Sequence, residues 1–424
     1  MTSKEYGTIK CDPEGKILKF DHISEKIFEC TSKEIINKKR IFYFFSKINI
    51  LNNINKWKNL TIINETKIYT ILKTKRNNIF FAYLNIIPYT KNNTTYFSVQ
   101  IFSLPQQKNF DSLQDKQTIL QKIKNFSHII RIHFLLGTII PIIFGIFWSY
   151  HKIESNKLNI MILFCTILGT ICCHIAANTF NDYYDWKSKT DKINKNYILF
   201  ITGGSRSIEM GLINEKSLLI LSIINTIIVI ICGLYISYMK GITILIIGLI
   251  GIFGTYFYSA PPIKLSSRHG LGEIFHIICL GPLIIIGITY ILTNKINYND
   301  FFVGLPMGFL ITACLLINEY PDLISDKITK KKNLAVTLKK YFFLGLITLI
   351  IIPYIIILLG IIFKIVSYYL IITFITIPYI IYNLKIILKI SQNRNNLIKS
   401  CIIIFNLYLY FSILMIIGQI IYII

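Results

Sequence analysis

Hydrophobic and polar positions divide this chain into two parts with different patterns. Up to about residue 104 apolar residues often alternate with polar ones, so that Phe97, Val99 and Ile101 share one face of the segment 96–102. A period of two is typical of a half-buried strand. From about residue 127 onward, apolar residues form long runs instead. The pattern therefore predicts a small domain with a sheet, followed by a larger helical part.

Turn and helix signals complete the outline of a small α+β domain. The sequence Asp12-Pro-Glu-Gly15 predicts a turn that joins two strands as a hairpin. The other predicted elements are strands at 8–11, 16–20 and 79–89 and short helices at 24–28 and 32–36. We expect this domain to occupy residues 1–110.

The first hundred residues resemble a PAS domain. The resemblance lies in Gly7-x-Ile9, Asp12-x-x-Gly15-x-Ile17 and the segment 28–38, which reads Phe-Glu-Cys-Thr-Ser-Lys-Glu-Ile-Ile-Asn-Lys. PAS domains sense small ligands, hold cofactors or mediate contacts, so the resemblance implies an unknown small ligand as one partner. His22 is a candidate haem ligand, but a histidine beside a turn is more often simply solvated. The resemblance therefore favours an interaction domain over a cofactor-bound sensor.

A single helix at residues 111–126 is predicted to link the two parts. Asp111 or Ser112 could cap this helix. Its apolar stripe consists of Ile119, Leu120, Ile123 and Phe126. The sequence leaves open whether the helix transmits a signal between the two parts or lies on a membrane surface.

The helical part is predicted to cross a membrane nine times. The chain is 53% hydrophobic and its mean hydropathy is +0.56, values too high for an ordinary soluble protein. Each apolar run has roughly the 20 residues that a bilayer requires. The predicted spans are 129–150, 158–182, 217–238, 241–260, 271–293, 301–320, 341–363, 365–385 and 398–424. The fold class is thus an all-α polytopic bundle at 127–424 behind a small α+β domain.

Basic residues alternate between the predicted connections. The formal net charge is +24, yet the lysines and arginines concentrate in every second loop, so the charge indicates membrane orientation and no nucleic-acid partner. The odd-numbered loops hold only Lys152, Lys157, Lys240, Lys295 and Lys364. The positive-inside rule then predicts an integral protein of the cell membrane with a cytoplasmic N-terminus and an external C-terminus.

Two groups of acidic and amide side chains close two of the predicted spans. The first group is Asn178, Asn181, Asp182 and Asp185, spaced i, i+3, i+4 and i+7, which is one face of a helix. The second group is Asn318, Asp322 and Asp326, spaced i, i+4 and i+8. Carboxylates at membrane depth are costly and mark function. Because both groups open to the same side, they predict Mg²⁺ ions that bridge to a diphosphate.

Basic side chains near the two groups could bind the phosphate oxygens. The candidates are Arg206 in Gly203-Gly-Ser-Arg206, Lys264 in the loop after the fourth span, and Arg131 near the first span. Interfacial placement under the positive-inside rule is the alternative for each of them. For the run Lys330–Lys332 that alternative is at least as favourable as substrate contact.

These motifs resemble the UbiA superfamily of intramembrane prenyltransferases over nearly all of 127–424. The segment Asn178-x-x-Asn181-Asp182-x-x-Asp185, continued to Asp191, matches the first aspartate motif of the family, and Asn318-Glu-Tyr-Pro-Asp322-x-x-x-Asp326 matches the second. Residues 203–206 and 332–336 look most like the 1,4-dihydroxy-2-naphthoate prenyltransferases of menaquinone synthesis. Lys189 and Lys330 depart from that group, which often has glycine at both positions.

The resemblance implies Mg²⁺-dependent transfer of a polyprenyl group from a prenyl diphosphate to an aromatic acceptor. It implies catalytic and metal-binding roles for Asp182, Asp185, Asp322 and Asp326, with Asp191 as a further metal ligand. Diphosphate binding falls to Asn178, Asn181, Arg206, Lys264, Arg131 and Asn318. The lipid bilayer and both substrates are then the partners of the protein.

Other interpretations remain open at the level of the sequence. A prenyltransferase of the same type could use another aromatic acceptor. A multi-span transporter or a membrane sensor is the alternative from a different class, since intramembrane acids also serve cation movement. Against a transporter, the acids gather at one membrane face and not at the midplane.

Overall fold

The computed structural model describes residues 6–46, 57, 65–76, 78–91, 94–103, 119–153, 159–194, 196–198 and 201–424. The chain divides into two compact units. The first consists of residues 1–129 and 206–214, and the second of residues 130–205 and 215–424.

A five-stranded antiparallel sheet forms the centre of the first unit. Its strands are β1 Gly7–Cys11, β2 Ile17–Phe20, β3 Thr66–Lys73, β4 Ile79–Lys91 and β5 Thr94–Ser103. Their order across the sheet is β2-β1-β5-β4-β3. Two short helices follow β2, α1 His22–Phe28 and α2 Ser32–Ile35. The predicted hairpin, the strand at 79–89 and both helices are confirmed. This sheet fits the PAS-like domain that the sequence predicts.

The core of the first unit is built as the alternation requires. Phe97, Val99 and Ile101 are all buried on one face of β5, and the rings of Phe28 and Phe44 stack with centroids 4.0 Å apart. At the hairpin, the Asp12 carboxylate accepts hydrogen bonds from the backbone N–H groups of residues 14 and 16, which fixes the turn. The His22 side chain is largely exposed and lies 3.3 Å from Glu25, an arrangement typical of a solvated histidine.

The predicted linker helix is present from its middle onward. Helix α3 spans Ile119–Ile129, while Asp111 and Ser112, its predicted caps, lie outside the described residues. The four residues of its apolar stripe are exposed, from 79% at Ile119 to 48% at Phe126. The stripe is therefore an apolar surface within the first unit.

The second unit is a bundle of apolar helices. They are α4 Leu136–Ser149, α5 Ile160–Lys187, α6 Thr190–Ile193, α7 Glu215–Lys240, α8 Ile242–Phe257, α9 Leu271–Leu280, α10 Pro282–Thr293, α11 Tyr298–Glu319, α12 Leu323–Ile328, α13 Leu334–Leu338, α14 Phe342–Ile362, α15 Ile377–Leu388 and α16 Arg394–Ile423. In the described part of the chain, eight segments are long and apolar enough to cross a membrane, and α8 is a shorter apolar helix. Counted together, these nine segments match the nine predicted spans.

Close backbone contact lets one span bend and still pack tightly. Between α9 and α10 the chain turns at Gly281, where an added Cβ would lie 2.3 Å from the carbonyl oxygen of Gly304 in α11. Only glycine permits this approach, which is how small residues bring membrane helices together. The main core lies beside α11 and includes Phe144, Met307 and Tyr408. It surrounds α11, the helix that carries Asn318 of the second acidic motif.

The spacing of the second acidic group predicts one continuous α-helix. The structure instead has a break within this group. Helix α11 ends at Glu319, a 3-10 turn spans Tyr320–Asp322, and α12 begins at Leu323. Pro321 explains the change, because proline has no N–H to donate to the helix and its ring crowds the preceding turn. Asp322 and Asp326 therefore lie on the turn and on α12, after the end of the span helix.

Candidate active site

The last three turns of α5 present the first acidic motif on a helix, as predicted. Residues 178–185 are helical throughout, and the helix ends at Lys187. Asp182 is only 4% exposed, whereas Asn178, Asn181 and Asp185 are half-buried. The Asn178 amide lies 3.5 Å from the carbonyl oxygen of Ile130. The face therefore points into the protein and away from lipid.

Asp182 is held by one cation and by one backbone N–H group. Its carboxylate forms an ion pair with Arg131, and it accepts a hydrogen bond of 3.2 Å from the backbone N–H of Ser205. Gly204 has φ +81°, and an added Cβ would lie 2.8 Å from the Asp182 carboxylate. The glycine is required both by its conformation and by this contact. The predicted phosphate-binding arginine is thus in direct contact with the first motif.

Asp185 lies between an amide and a lysine. Its carboxylate oxygen is 3.3 Å from the Asn181 amide nitrogen and 3.2 Å from the Lys331 ammonium. Asn181 in turn accepts a hydrogen bond of 2.8 Å from the Ser259 hydroxyl. Residues far apart in sequence are therefore gathered around the first motif.

The second motif is bound by side chains from two loops. The Asn194 amide donates to Asp322 at 2.6 Å, and the Asn333 amide donates to Asp326 at 2.8 Å. Asn194 follows α6, just beyond the first motif, so its bond to Asp322 joins the two motifs. Asp326 is 2% exposed. The two acidic groups consequently meet at one end of the bundle, which we call the mouth.

Lys331 links the carboxylates of the two motifs electrostatically. Burial alone would lower the pKa of Lys331, but Asp185 and Asp326 hold that pKa well above its usual range. The ammonium therefore stays charged at the mouth. The sequence leaves both surface placement and substrate contact open for Lys330–Lys332. The Lys331 side chain is only 17% exposed, whereas Lys330 and Lys332 are exposed, so surface placement describes those two lysines better than Lys331.

Two buried glutamates hold the loop that carries Lys331. The sequence analysis predicts no role for either of them. Glu273 on α9 accepts a hydrogen bond of 2.7 Å from the backbone N–H of Leu334, and Glu319 on α11 accepts one of 3.4 Å from Ala335. Both bonds satisfy N–H groups in the first turn of α13. The position of Glu319, beside Asn318 in the second motif, was the available sequence signal.

The other predicted site residues have different surroundings. Asp191, on α6, is 8% exposed, and Asn318 is half-buried near the end of α11. Lys264 is half-buried in the loop after α8. Arg206, which groups with the first unit, is 3% exposed and lies 3.5 Å from Glu209. The predicted roles of these four residues, like those of the other site residues, stay predictions.

The two lysines that depart from the family pattern adopt a backbone conformation that favours glycine. Lys189 has φ 65° and Lys330 has φ 59°. Glycine adopts a positive φ at no steric cost, whereas a residue with a Cβ is strained there. The structure thus explains why a glycine suits both positions.

The side chains at the mouth fit a divalent metal in their chemistry. Carboxylate and amide oxygens are the donors that Mg²⁺ prefers, and Mg²⁺ is usually held by one or two carboxylates together with substrate phosphates. Among the described residues, no three His, Cys, Asp or Glu side chains form a cluster that could hold a metal by themselves. Asp182, Asp185, Asp322 and Asp326 would hold the metal if each motif binds one ion.

An apolar bundle with buried carboxylates gathered at one end is an integral membrane protein with an enzyme-like site. Residues 138–410 match the model of the UbiA prenyltransferase family. This match covers more than half of the chain, and the chain therefore belongs to that family. Family membership favours the enzyme over the transporter and sensor alternatives.

Three individual proteins are similar to parts of the chain. The chain is 27% identical over 206 residues to a 1,4-dihydroxy-2-naphthoate octaprenyltransferase of Bacillus subtilis (strain 168), a match that spans 49% of this chain and 63% of that relative. A UbiA homolog from Archaeoglobus fulgidus, solved bound to DMAPP and Mg²⁺, aligns at 16% identity and a TM-score of 0.45 over 69% of this chain and 99% of its own. The PAS domain of an HTR-like protein from Haloarcula marismortui aligns at 8% identity and a TM-score of 0.22, covering 24% of this chain and 84% of its own.

Proposed function

We propose that the protein transfers a polyprenyl group from a prenyl diphosphate to 1,4-dihydroxy-2-naphthoate, a step of menaquinone synthesis, with the help of Mg²⁺. The observation that carries the proposal is the meeting of both aspartate motifs at one mouth, where Asn194 binds Asp322 and the Lys331 ammonium lies 3.2 Å from Asp185. The choice of acceptor is supported by the name of the Bacillus subtilis relative.

The chemistry at the mouth follows from the charges that these residues carry. The bond between the first prenyl carbon and its diphosphate oxygen breaks, and the electron pair leaves with the diphosphate. Arg131 and Lys331 are cations within reach of the motif carboxylates and would bind the oxygens of the departing group. When bound, Mg²⁺ supplies Lewis-acid stabilisation of the same negative charge.

The acceptor carbon then forms a bond to the first prenyl carbon. In the proposed acceptor that ring carbon carries a carboxylate, which leaves as carbon dioxide and returns its electron pair to the ring. The apolar helices exclude water, which would otherwise capture the allylic cation. The burial of Asp182 and Asp326 supports a reaction site that is shielded from water.

The test is product formation by the full-length protein in lipid nanodiscs. Geranylgeranyl diphosphate and 1,4-dihydroxy-2-naphthoate are supplied with Mg²⁺, and the prenylated naphthol is measured by mass spectrometry. We expect product and diphosphate in equal amounts. Transfer to 4-hydroxybenzoate in place of the naphthoate would overturn the choice of acceptor, and the absence of any transfer would overturn the proposed activity.

Membrane orientation and division of labour belong to the same proposal. The alternating lysines support a cytoplasmic N-terminus and mouth, with the C-terminus outside. Reporter fusions within 187–215 and after Ile424 should then report opposite sides of the membrane, and the same side for both would contradict the orientation. The PAS-like domain at 1–110 and the linker helix at 111–126 are assigned regulation, with an unknown small ligand as partner, and 127–424 is assigned catalysis.

A further inference from the structure

Two histidines lie beneath the mouth. They have no role in the proposed transfer as it stands. His174 precedes Asn178, Asn181 and Asp185 by 4, 7 and 11 residues in the sequence, so it lies on the same face of α5. At 1.5 Å per residue it is about 6 Å deeper than Asn178. His276 lies on α9, one turn beyond Glu273. We call His174 and His276 the histidine pair.

Each ring of the histidine pair is held by a threonine of a neighbouring helix. Nδ1 of His174 is hydrogen-bonded to the Thr138 hydroxyl of α4, and Nδ1 of His276 lies 2.8 Å from the Thr312 hydroxyl of α11. Both threonines are fully buried, at 1% and 0% exposure. These contacts fix the orientation of both imidazoles and leave Nε2 as the second polar atom of each ring.

The second nitrogen of each ring has no hydrogen-bond partner in the described part of the chain. The hydrogen bonds of the two side chains there are those to Thr138 and Thr312. Neither ring is sealed in the core, since both residues are half-buried. A polar atom inside a membrane bundle is costly unless it is hydrogen-bonded. The pair therefore presents two oriented polar atoms to accessible space within the bundle.

This position fits the second substrate of the proposed reaction. The first prenyl carbon is bonded to the diphosphate at the mouth, so the acceptor carbon that attacks it must lie within a few ångströms of that layer. The acceptor is a flat apolar ring with hydroxyl and carboxylate substituents, which need hydrogen-bond partners in a dry interior. The imidazole Nε2 donates or accepts according to the tautomer and so suits a hydroxyl or a carboxylate.

We propose that His174 and His276 form the acceptor subsite, in which their Nε2 atoms bind the polar substituents of a hydroxylated aromatic ring one helical turn below the diphosphate. This inference rests on the proposed prenyl transfer and adds the residues that select the acceptor. The competing explanation is that the two histidine–threonine bonds only hold the helices together, as polar pairs do in membrane bundles. The two explanations predict different kinetics.

The experiment measures KM for each substrate in His174→Leu and His276→Leu variants of the full-length protein, with geranylgeranyl diphosphate and 1,4-dihydroxy-2-naphthoate in nanodiscs. Loss of one hydrogen bond to the acceptor should raise its KM about tenfold. The KM for the prenyl diphosphate should stay within about twofold, because the mouth is intact. His174→Gln and His276→Gln, which restore a polar nitrogen near the Nε2 position, should recover most of the affinity for the acceptor.

Ser149→Ala is the matched control, because it removes a buried hydrogen bond of 3.0 Å between α4 and Thr289 of α10, away from the mouth. It should leave both KM values unchanged. Should a leucine variant fail to insert, Thr312→Val keeps the side-chain volume and releases the His276 ring, and it should also raise the KM of the acceptor.

An unchanged KM for the acceptor in these variants would overturn the proposal. So would equal changes in both KM values, since these indicate a loosened bundle. The absence of transfer by the wild-type protein to any hydroxylated aromatic acceptor would instead refute the proposed function, on which the subsite depends. The two failures are therefore distinguishable.

Discussion

Replacement of Lys331 by methionine tests the electrostatics of the mouth. The ammonium lies 3.2 Å from the Asp185 carboxylate, a separation at which two unit charges interact by about 5 kcal/mol at an effective dielectric constant near 20. The two side chains are 17% and 19% exposed, and water reduces this interaction. For a diphosphate at a similar distance we expect about 3 kcal/mol of leaving-group stabilisation. Its loss corresponds to a fall in kcat of about 10²-fold.

The assay is release of diphosphate under single-turnover conditions, normalised to inserted protein. Lys331→Arg keeps the positive charge and should retain more activity than Lys331→Met. Lys332→Ala is the matched control, because its side chain is exposed and belongs to the same basic run. Normal turnover by Lys331→Met would refute the reasoning, and an equal loss in Lys332→Ala would show that the charge of the whole loop matters and not its geometry.

Two further expectations follow from the backbone and from the division into units. Because Lys189 has φ 65°, Lys189→Gly should raise the free energy of unfolding by about 1 kcal/mol. This change should be seen as a higher Tm in detergent. A lower Tm would contradict the strain argument. A chain that begins at Asp111 should insert and keep the basal transfer reaction, because all the motif residues lie beyond residue 127; a correctly inserted but inactive protein would show that the first domain completes the site.

The sequence predicted those features that depend on local periodicity. The helical face of Asn178, Asn181 and Asp185 follows from a spacing that any α-helix converts into proximity. The apolar spans follow from bilayer thickness in the same way. The strand Tyr96–Phe102 alternates because one face of its sheet is buried.

The features that were missed depend on how distant segments meet. Lys331 belongs to a uniform run of three lysines, and its contact with Asp185 depends on the fold of a loop that Glu273 and Glu319 help to hold. Asn194 and Asn333 were missed for the same reason, since no spacing relates them to their aspartates. The turn at Tyr320–Asp322 could have been expected, because Pro321 disrupts a regular helix.

The central claim is that the two aspartate motifs act together at one mouth to support metal-dependent prenyl transfer. The most direct measurement compares prenylated product formed with Mg²⁺ by the wild-type protein and by Asp182→Ala, Asp185→Ala, Asp322→Ala and Asp326→Ala, each quantified per inserted molecule. Asp300→Asn is the control, because this buried carboxylate lies at the start of α11 and bonds to Trp148 and Lys152.

We expect each alanine variant to lose at least about 10²-fold in turnover, since each removes a ligand that stabilises the leaving group. The wild-type protein should lose its activity in EDTA and recover it on addition of Mg²⁺, and Asp300→Asn should transfer the prenyl group normally. Near-normal turnover in any two of the four alanine variants, or full activity of the wild-type protein in EDTA, would contradict the claim.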